Sequence, residues 1–386
     1  MNIHKLSIFG SLFLLFNAPF ASAETLEERV AKLERNQALI NNHDLKVFGT
    51  LHFEQVSISE NDTNVNLYDN SQLRHGRLGV MGDVNSEWDF KFDVDFADDN
   101  SNVIDAFIRR DLGNSSIRVG QFRQPFSLEE LTSISDTTFV ERASINELTP
   151  GRALGIGHER NLGNINIQAG IFGDSISSTA GDDNQNASGA LRIASFVDSS
   201  DMLLHVGIAG QYFTPDGDNI YLGFRPEAAI DSSSSVIIVD EDDLDNVTRT
   251  GLELAIVRDR LSIQGEYIIA DLEYDSDGDD NNIRGYYAQL SLFLTDNSRA
   301  YDTKSSTFVG LAPSSNDEAI ELAYRFSNVD ATDTSDGKMN SHTIGINWYP
   351  ADNLRFMANY IMLNSSSDST YGGDADIIAL RAQVDF

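Results

Sequence analysis

Three arginines, Arg123, Arg142 and Arg152, stand close to Glu129, Glu130, Glu141 and Glu147, in or next to a segment, 124–152, that is less acidic than the other long polar stretches of the chain. A guanidinium is always charged and presents a planar fork of donors, so arginines lining a water-filled space suit the binding and passage of oxyanions. The alternative is a set of mutual surface ion pairs, each worth little. Other chemistries have thinner support. The seven histidines, at 4, 43, 52, 75, 158, 205 and 342, show neither His-x-x-His nor His-Glu-x-x-His spacing, so no metal site is expected. Cysteine is absent, which removes disulfides, thiolate ligands and thiol nucleophiles. Ser341 precedes His342 and Ser144 lies in the 124–152 segment, yet no Gly-x-Ser-x-Gly elbow occurs; an enzyme is not expected and no cofactor is implied. The run Asp275-Ser-Asp277-Gly-Asp279-Asp280 alternates acids as a calcium loop does, but Tyr286 stands where a closing glutamate would sit. It reads either as a solvated loop or as a weak divalent bridge to lipopolysaccharide.

The elements that must position these residues begin with an address. Met1–Ala23 has a basic start (His4, Lys5), an apolar run from Leu6 to Phe16 and the small-residue ending Ala21-Ser22-Ala23, the pattern of a secretory signal. In 24–42, Leu26, Val30, Leu33, Gln37 and Ile40 follow four-three spacing, which predicts a short periplasmic helix: either a coiled coil beneath a trimer or an amphipathic helix on the main domain. No later stretch has the ~18 apolar residues of a membrane-spanning helix. A formal charge of −33 argues against a nucleic-acid partner.

From Leu45 the period is two. Trp88, Phe90, Phe92, Val94 and Phe96 alternate with Asp89, Lys91, Asp93 and Asp95; Ile378, Leu380, Ala382, Val384 and Phe386 alternate with Ala379, Arg381, Gln383 and Asp385. In 354–364 the alternation is less clean, because Met357, Ile361 and Leu363 lie opposite Phe356, Ala358 and Tyr360. An apolar outside and a polar inside are what lipid around a water-filled ring requires. We count about 16 strands between 45 and 386, with short connections such as Asn85-Ser86-Glu87 alternating with long ones such as 174–187, 214–246 and 327–340. Short periplasmic turns opposite long external loops predict an all-β, antiparallel transmembrane β-barrel over 43–386, with 124–152 as an inward-folded third loop that constricts the pore. The 296–316 connection breaks the alternation, being long where a turn is expected.

The chain resembles the phosphate-selective porin O and P family. The resemblance is carried by Gly120-Gln-Phe-Arg-Gln-Pro-Phe-Ser-Leu-Glu-Glu-Leu-Thr-Ser133, Phe139-Val-Glu-Arg142, Pro150-Gly-Arg152, Gly285-Tyr-Tyr-Ala-Gln-Leu290 and His342-Thr-Ile-Gly-Ile-Asn-Trp-Tyr349. It implies a homotrimeric porin of the Gram-negative outer membrane, in contact with lipid and lipopolysaccharide, that lets small ions and solutes diffuse through. It further implies a constriction in which Arg74 is the first of two strand arginines, with His75 in the place of the second, Arg142 is the loop arginine and Asp105 the aspartate; Arg123 and Arg152 are secondary candidates.

Two departures bear on selectivity. His75 makes part of the site's charge pH-dependent. No ladder of Arg and Lys stands out, and the proposed external loops hold 27 acids against two bases, Arg225 and Lys338. Such a rim concentrates cations. The expected function is a porin for anions such as phosphate or polyphosphate, with a general or cation-preferring porin as the alternative.

Overall fold

The computed structural model describes residues 44–60, 69–97, 101–176, 186–199, 202–215, 219–228, 235–275, 280–311, 318–334, 336–366 and 373–386. The expected signal segment and the 24–42 helix lie outside them.

In chain order the strands are β1 (Lys46–Glu60), β2 (Asn70–Asp83), β3 (Trp88–Asp95), β4 (Asn102–Asp111), β5 (Ser115–Arg123), β6 (Arg152–Leu162), β7 (Ile165–Phe172), β8 (Ala187–Asp198), β9 (Leu203–Thr214), β10 (Ile220–Phe224), β11 (Ile237–Glu241), β12 (Leu244–Arg258), β13 (Leu261–Tyr274), β14 (Asn281–Phe293), β15 (Ala300–Asp302), β16 (Thr307–Val309), β17 (Ala319–Ala331), β18 (Gly337–Ala351), β19 (Leu354–Ser365) and β20 (Gly373–Asp385). Sixteen of them, all but the β10–β11 and β15–β16 hairpins, form a closed barrel in which each strand pairs with its neighbours and β1 pairs antiparallel with β20. Closure leaves no edge, so backbone groups at membrane depth are paired within the wall.

The two-residue period sorts the side chains as the sequence predicts. On β3, Phe92 and the flanking Phe96 stand exposed on the outside, whereas Asp93 and Asp95 are buried on the inside. Trp348 and Phe356 stack on the outer surface of β18 and β19 with ring centroids 5.4 Å apart, a pairing suited to the membrane interface.

Two local departures from regular pairing matter for the site. His52 pairs with His75 but Phe53 pairs with Leu73, so Arg74 is an extra, unpaired residue in β2. This bulge lets Arg74 and His75 both reach the lumen, which strict alternation forbids. At Gly120 the backbone has φ +131°, and a Cβ there would lie 2.2 Å from the Ala106 carbonyl oxygen, so the close approach of β5 to β4 requires glycine.

The interior differs from the open, polar channel expected. The 214–246 connection is not wholly an external loop: its β10–β11 hairpin folds inward. Leu222, Phe224, Ile237 and Val239 join an apolar cluster with the lumen-facing Ile268, Met357, Ile361 and Leu363. This accounts for the mixed pattern of β19, whose inner face meets protein rather than water. Burying each such side chain contributes about 2 kcal/mol, more than the about 1 kcal/mol at most of a solvated ion pair, so the hairpin's apolar residues outweigh the pull of its acids toward water. The long 296–316 connection is explained in the same way. β14 and β17 stand close to where they were expected, and the chain between them forms the β15–β16 hairpin, which enters the barrel from the periplasmic side. There Asn166 Nδ2 donates to the Lys304 carbonyl at 2.7 Å and Arg192 Nη2 to the Ser306 carbonyl at 2.9 Å.

Glu227, one of the acids counted on the rim, is instead 3% exposed and buried inside. It accepts from Arg325 Nη2 (2.7 Å), Arg325 Nε (3.0 Å), Thr343 Oγ1 (2.8 Å), the Ser144 amide (3.3 Å) and the Ser327 hydroxyl. One carboxylate thus ties the inward hairpin to β17, β18 and the third loop. Removing one partner of a buried pair leaves the other uncompensated. Glu227→Ala is therefore expected to lower unfolding stability in detergent by about 3 kcal/mol, and Glu227→Gln by less. An unchanged guanidinium midpoint in Glu227→Ala would exclude this role.

Candidate functional site

The third loop spans the interval between β5 and β6 and contains the short helix α1 (Leu128–Leu131) and two 3-10 turns, Ile134–Asp136 and Ser144–Leu148. Ser127 caps α1, its hydroxyl accepting from the Glu130 amide at 3.1 Å. Glu266 of β13 accepts from the Leu128 (3.1 Å) and Glu129 (2.8 Å) amides, so a carboxylate on the wall satisfies the open amides of the helix start. Phe126, Phe139, Ile145 and Leu148 are buried, which turns one side of the loop toward the packed part of the interior. Leu131, Ser133, Ile134, Ser135 and Asp136 face the open part.

Each residue anticipated for the constriction has a protein partner. Arg74 Nε donates to Glu141 Oε1 at 2.8 Å and so moors the loop to β2. Burial opposes ionisation of Glu141, yet the Arg74 and Arg381 guanidiniums hold its carboxyl below the ordinary range. Arg142, next in sequence, turns back into the loop: its Nε donates to the Glu129 carbonyl (3.0 Å) and its Nη2 to those of Glu130 (3.2 Å) and Thr132 (2.9 Å). His75 Nδ1 lies 2.6 Å from Asp95 Oδ2, and its ring meets His52 edge-on at 5.4 Å. Asp105 accepts from Lys91 Nζ (2.7 Å) and Arg152 Nε (2.8 Å). Arg123 donates to the Leu131 and Thr132 carbonyls at 3.2 and 3.1 Å and faces Glu130 at 3.1 Å. The six residues line the junction of loop and wall without converging on one point. Asp105, Arg123 and Arg152 share a cavity, whereas Arg74, His75 and Arg142 do not border it.

That cavity, about 620 Å³, runs between the loop and the β2–β6 wall. Its wall presents Arg77, Lys91, Arg118, Arg123 and Arg152 against Asp93, Asp105 and Glu159. The same cavity is also bordered by Asp136 of the loop, Asp352 of the β18–β19 turn and Asp385 of β20. Asp385 and Arg77 both pair with Thr50, so acids and bases are interleaved around the cavity, with the bases concentrated on β2–β6. Arg77, Arg109 and Arg118 were not singled out in the sequence. The available signal was their alternation with outward residues, and cross-strand pairing puts Arg109 directly opposite Arg118. The charged face of β3 points inward as predicted, and its acids are answered by neighbours: Arg77 Nε meets Asp95 Oδ2 and Arg109 Nε meets Asp89 Oδ2, each at 2.9 Å. Ser341 and His342 do not form a reactive pair. Ser341 is buried inside, while His342 lies outside, 2.7 Å from the Tyr324 hydroxyl. The candidate calcium loop falls largely outside the described residues.

A sequence family described as phosphate-selective porin O and P matches residues 50–386. Porin O of Pseudomonas aeruginosa is 24% identical over 355 residues, 81% of either chain. Among solved structures, the fold is similar to an anion-selective porin from Comamonas acidovorans (TM-score 0.56, 14% identity, 89% of this chain and 100% of that one). It is also similar to the trimer form of OmpT, an outer membrane protein of Vibrio cholerae (TM-score 0.55, 11% identity, 89% and 99%).

Burial pushes the Asp136 carboxyl up to about 6, Arg355 opposing and Asp385 reinforcing the shift. A raised carboxyl keeps its proton longer, so its negative charge is present above about pH 6 and lost below. A unit charge about 8 Å away in water is worth about 0.5 kcal/mol, so lowering pH from 7 to 5 is expected to raise the chloride-to-potassium permeability ratio about twofold. Asp136→Asn should show the raised ratio at both pH values; the same pH response in this variant would assign the titration elsewhere.

Proposed function

We propose, from the premise that this chain belongs to the phosphate-selective porin O and P family and is an outer-membrane porin, that it carries small anions, inorganic phosphate among them, by diffusion along the basic wall of its lumen. The observation that carries this reading is the cluster of five bases on the β2–β6 wall of the cavity, which exceed the three acids on the same strands. A permeating anion finds donors along those strands.

In this reading Arg74, His75, Asp105 and Arg142, with Arg123 and Arg152, make up the constriction in two different capacities. Arg74 and Arg123 hold the loop against the wall, and Arg142 braces the loop from within. Asp105 spaces Lys91 and Arg152, whose remaining N–H groups face the solute. Export by the 1–23 segment, a homotrimer with the 24–42 helix at its foot, and contact with lipopolysaccharide belong to the same proposal.

A second reading, a cation-preferring porin, is favoured by the acidic excess of the polar connections, 27 acids by sequence, of which Glu227 is buried inside. One measurement separates the two. In planar bilayers under a KCl gradient, the reversal potential is expected to lie toward chloride, and added phosphate to reduce the chloride current. Potassium preference without phosphate block would establish the second reading, and a folded chain that gives no stepwise conductance would end both. Arg142→Ala is expected to make the conductance larger and noisier while leaving the ion preference in place. Loss of anion preference in that variant would instead make Arg142 a contact of the permeant.

A further inference from the structure

Arg118 differs from the other bases of the cavity. Arg77, Lys91, Arg123 and Arg152 each have a carboxylate oxygen within 3.1 Å. Arg118 forms no ion pair among the described residues, and its Nε donates to nothing. Its guanidinium is held instead on aromatic plates, 4.7 Å from the centre of the Phe107 ring and 5.0 Å from that of Phe122. Those rings are fixed in turn: Phe107 meets Phe122 edge-on at 6.1 Å, and Phe122 meets Phe172 at 5.3 Å. Nε is covered, whereas Nη1 and Nη2 make no hydrogen bond among the described residues, and this terminal pair is what can meet a carboxylate.

The surroundings narrow the class of anion. Phe48, Leu131, Ile134 and Phe386 line the same cavity, so a solute with an apolar body has surface to cover. Glu159 also lines it, held by Asn166 Nδ2 at 2.8 Å, and with Asp93 and Asp105 it disfavours a second negative charge on the solute. Arg118 is the fourth residue from the periplasmic start of β5, so the position is reached after the constriction by a solute moving inward.

We propose that Arg118, seated on Phe107 and Phe122, forms a subsite in the periplasmic half of the lumen for organic monocarboxylates carrying an apolar or aromatic body. The proposal rests on the anion-channel reading and extends it from inorganic ions to a class of carbon compounds.

The test compares benzoate, acetate and phosphate as blockers of chloride current through the full chain in planar bilayers, with calorimetric binding of benzoate to the detergent-folded protein as a second measurement. Benzoate is expected to block at a concentration about tenfold below that of acetate or phosphate, and Arg118→Gln to weaken benzoate binding about tenfold, as for loss of one charge-assisted hydrogen bond. Ile134→Ala, which removes apolar lining and leaves the aromatic seat of Arg118 intact, should weaken benzoate and leave acetate unaffected. Equal block by acetate and benzoate, or benzoate binding that survives Arg118→Gln in a protein that still folds, would overturn the subsite. Arg118-dependent calorimetric binding in a chain that passes no current, or prefers potassium, would keep the subsite and remove the anion-channel reading instead.

Discussion

A peptide group at membrane depth has no water to bond to, and each one left open costs several kcal/mol. The pairing of β1 with β20 meets that demand for the whole wall, and much else follows from it. Sixteen strands enclose more space than their own side chains fill, so the ring is stable as a sheet yet too wide to discriminate between solutes. The surplus is filled from within by the third loop, the β10–β11 hairpin and the β15–β16 hairpin. Each is fastened by a charge taken out of water and fully bonded: Glu266 at the start of α1, Glu227 with Arg325, and Arg192 with Glu253.

The same arrangement governs how charge is used. The chain carries a large acidic excess, yet the β2–β6 wall of the open cavity does not, because acids and bases alternate across strands there. Many of the luminal carboxylates position arginines, and several arginines position the loop. Charge that faces the solute is a small remainder of a much larger internal network, which is why total charge says little about what the channel prefers.

Much of the fold is legible in the sequence. The alternation of β3 and β20, the parity of the connections and the inward third loop all follow from two-residue periodicity and from loop length. The roles of individual residues are less so. Arg74 sits on the wrong strand face by simple counting, and a single extra residue in β2 corrects it; nothing in the local composition marks that bulge. Arg142 reads as an oxyanion ligand from its type and place, but beside the Glu130 carboxylate, 3.5 Å away, its hydrogen-bond partners are backbone carbonyls, which leave no trace in a sequence. The inward hairpin had a visible sign that loop acidity concealed, the apolar runs Ile220–Phe224 and Val236–Val239 inside a segment otherwise rich in aspartate. Arg77, Arg109 and Arg118 are likewise concealed, each offset in a charge count by the acids interleaved with it.

The apolar cluster that fills one side of the barrel draws Val56 from β1 and Ala375, Ile377 and Ala379 from β20, together with the β10–β11 hairpin. The first and last wall strands therefore meet over a shared core as well as through their backbones. Zipping up the final seam and collapsing the plug are then one cooperative event, and a barrel that had closed around water would lack the adhesive at the place where its two ends join.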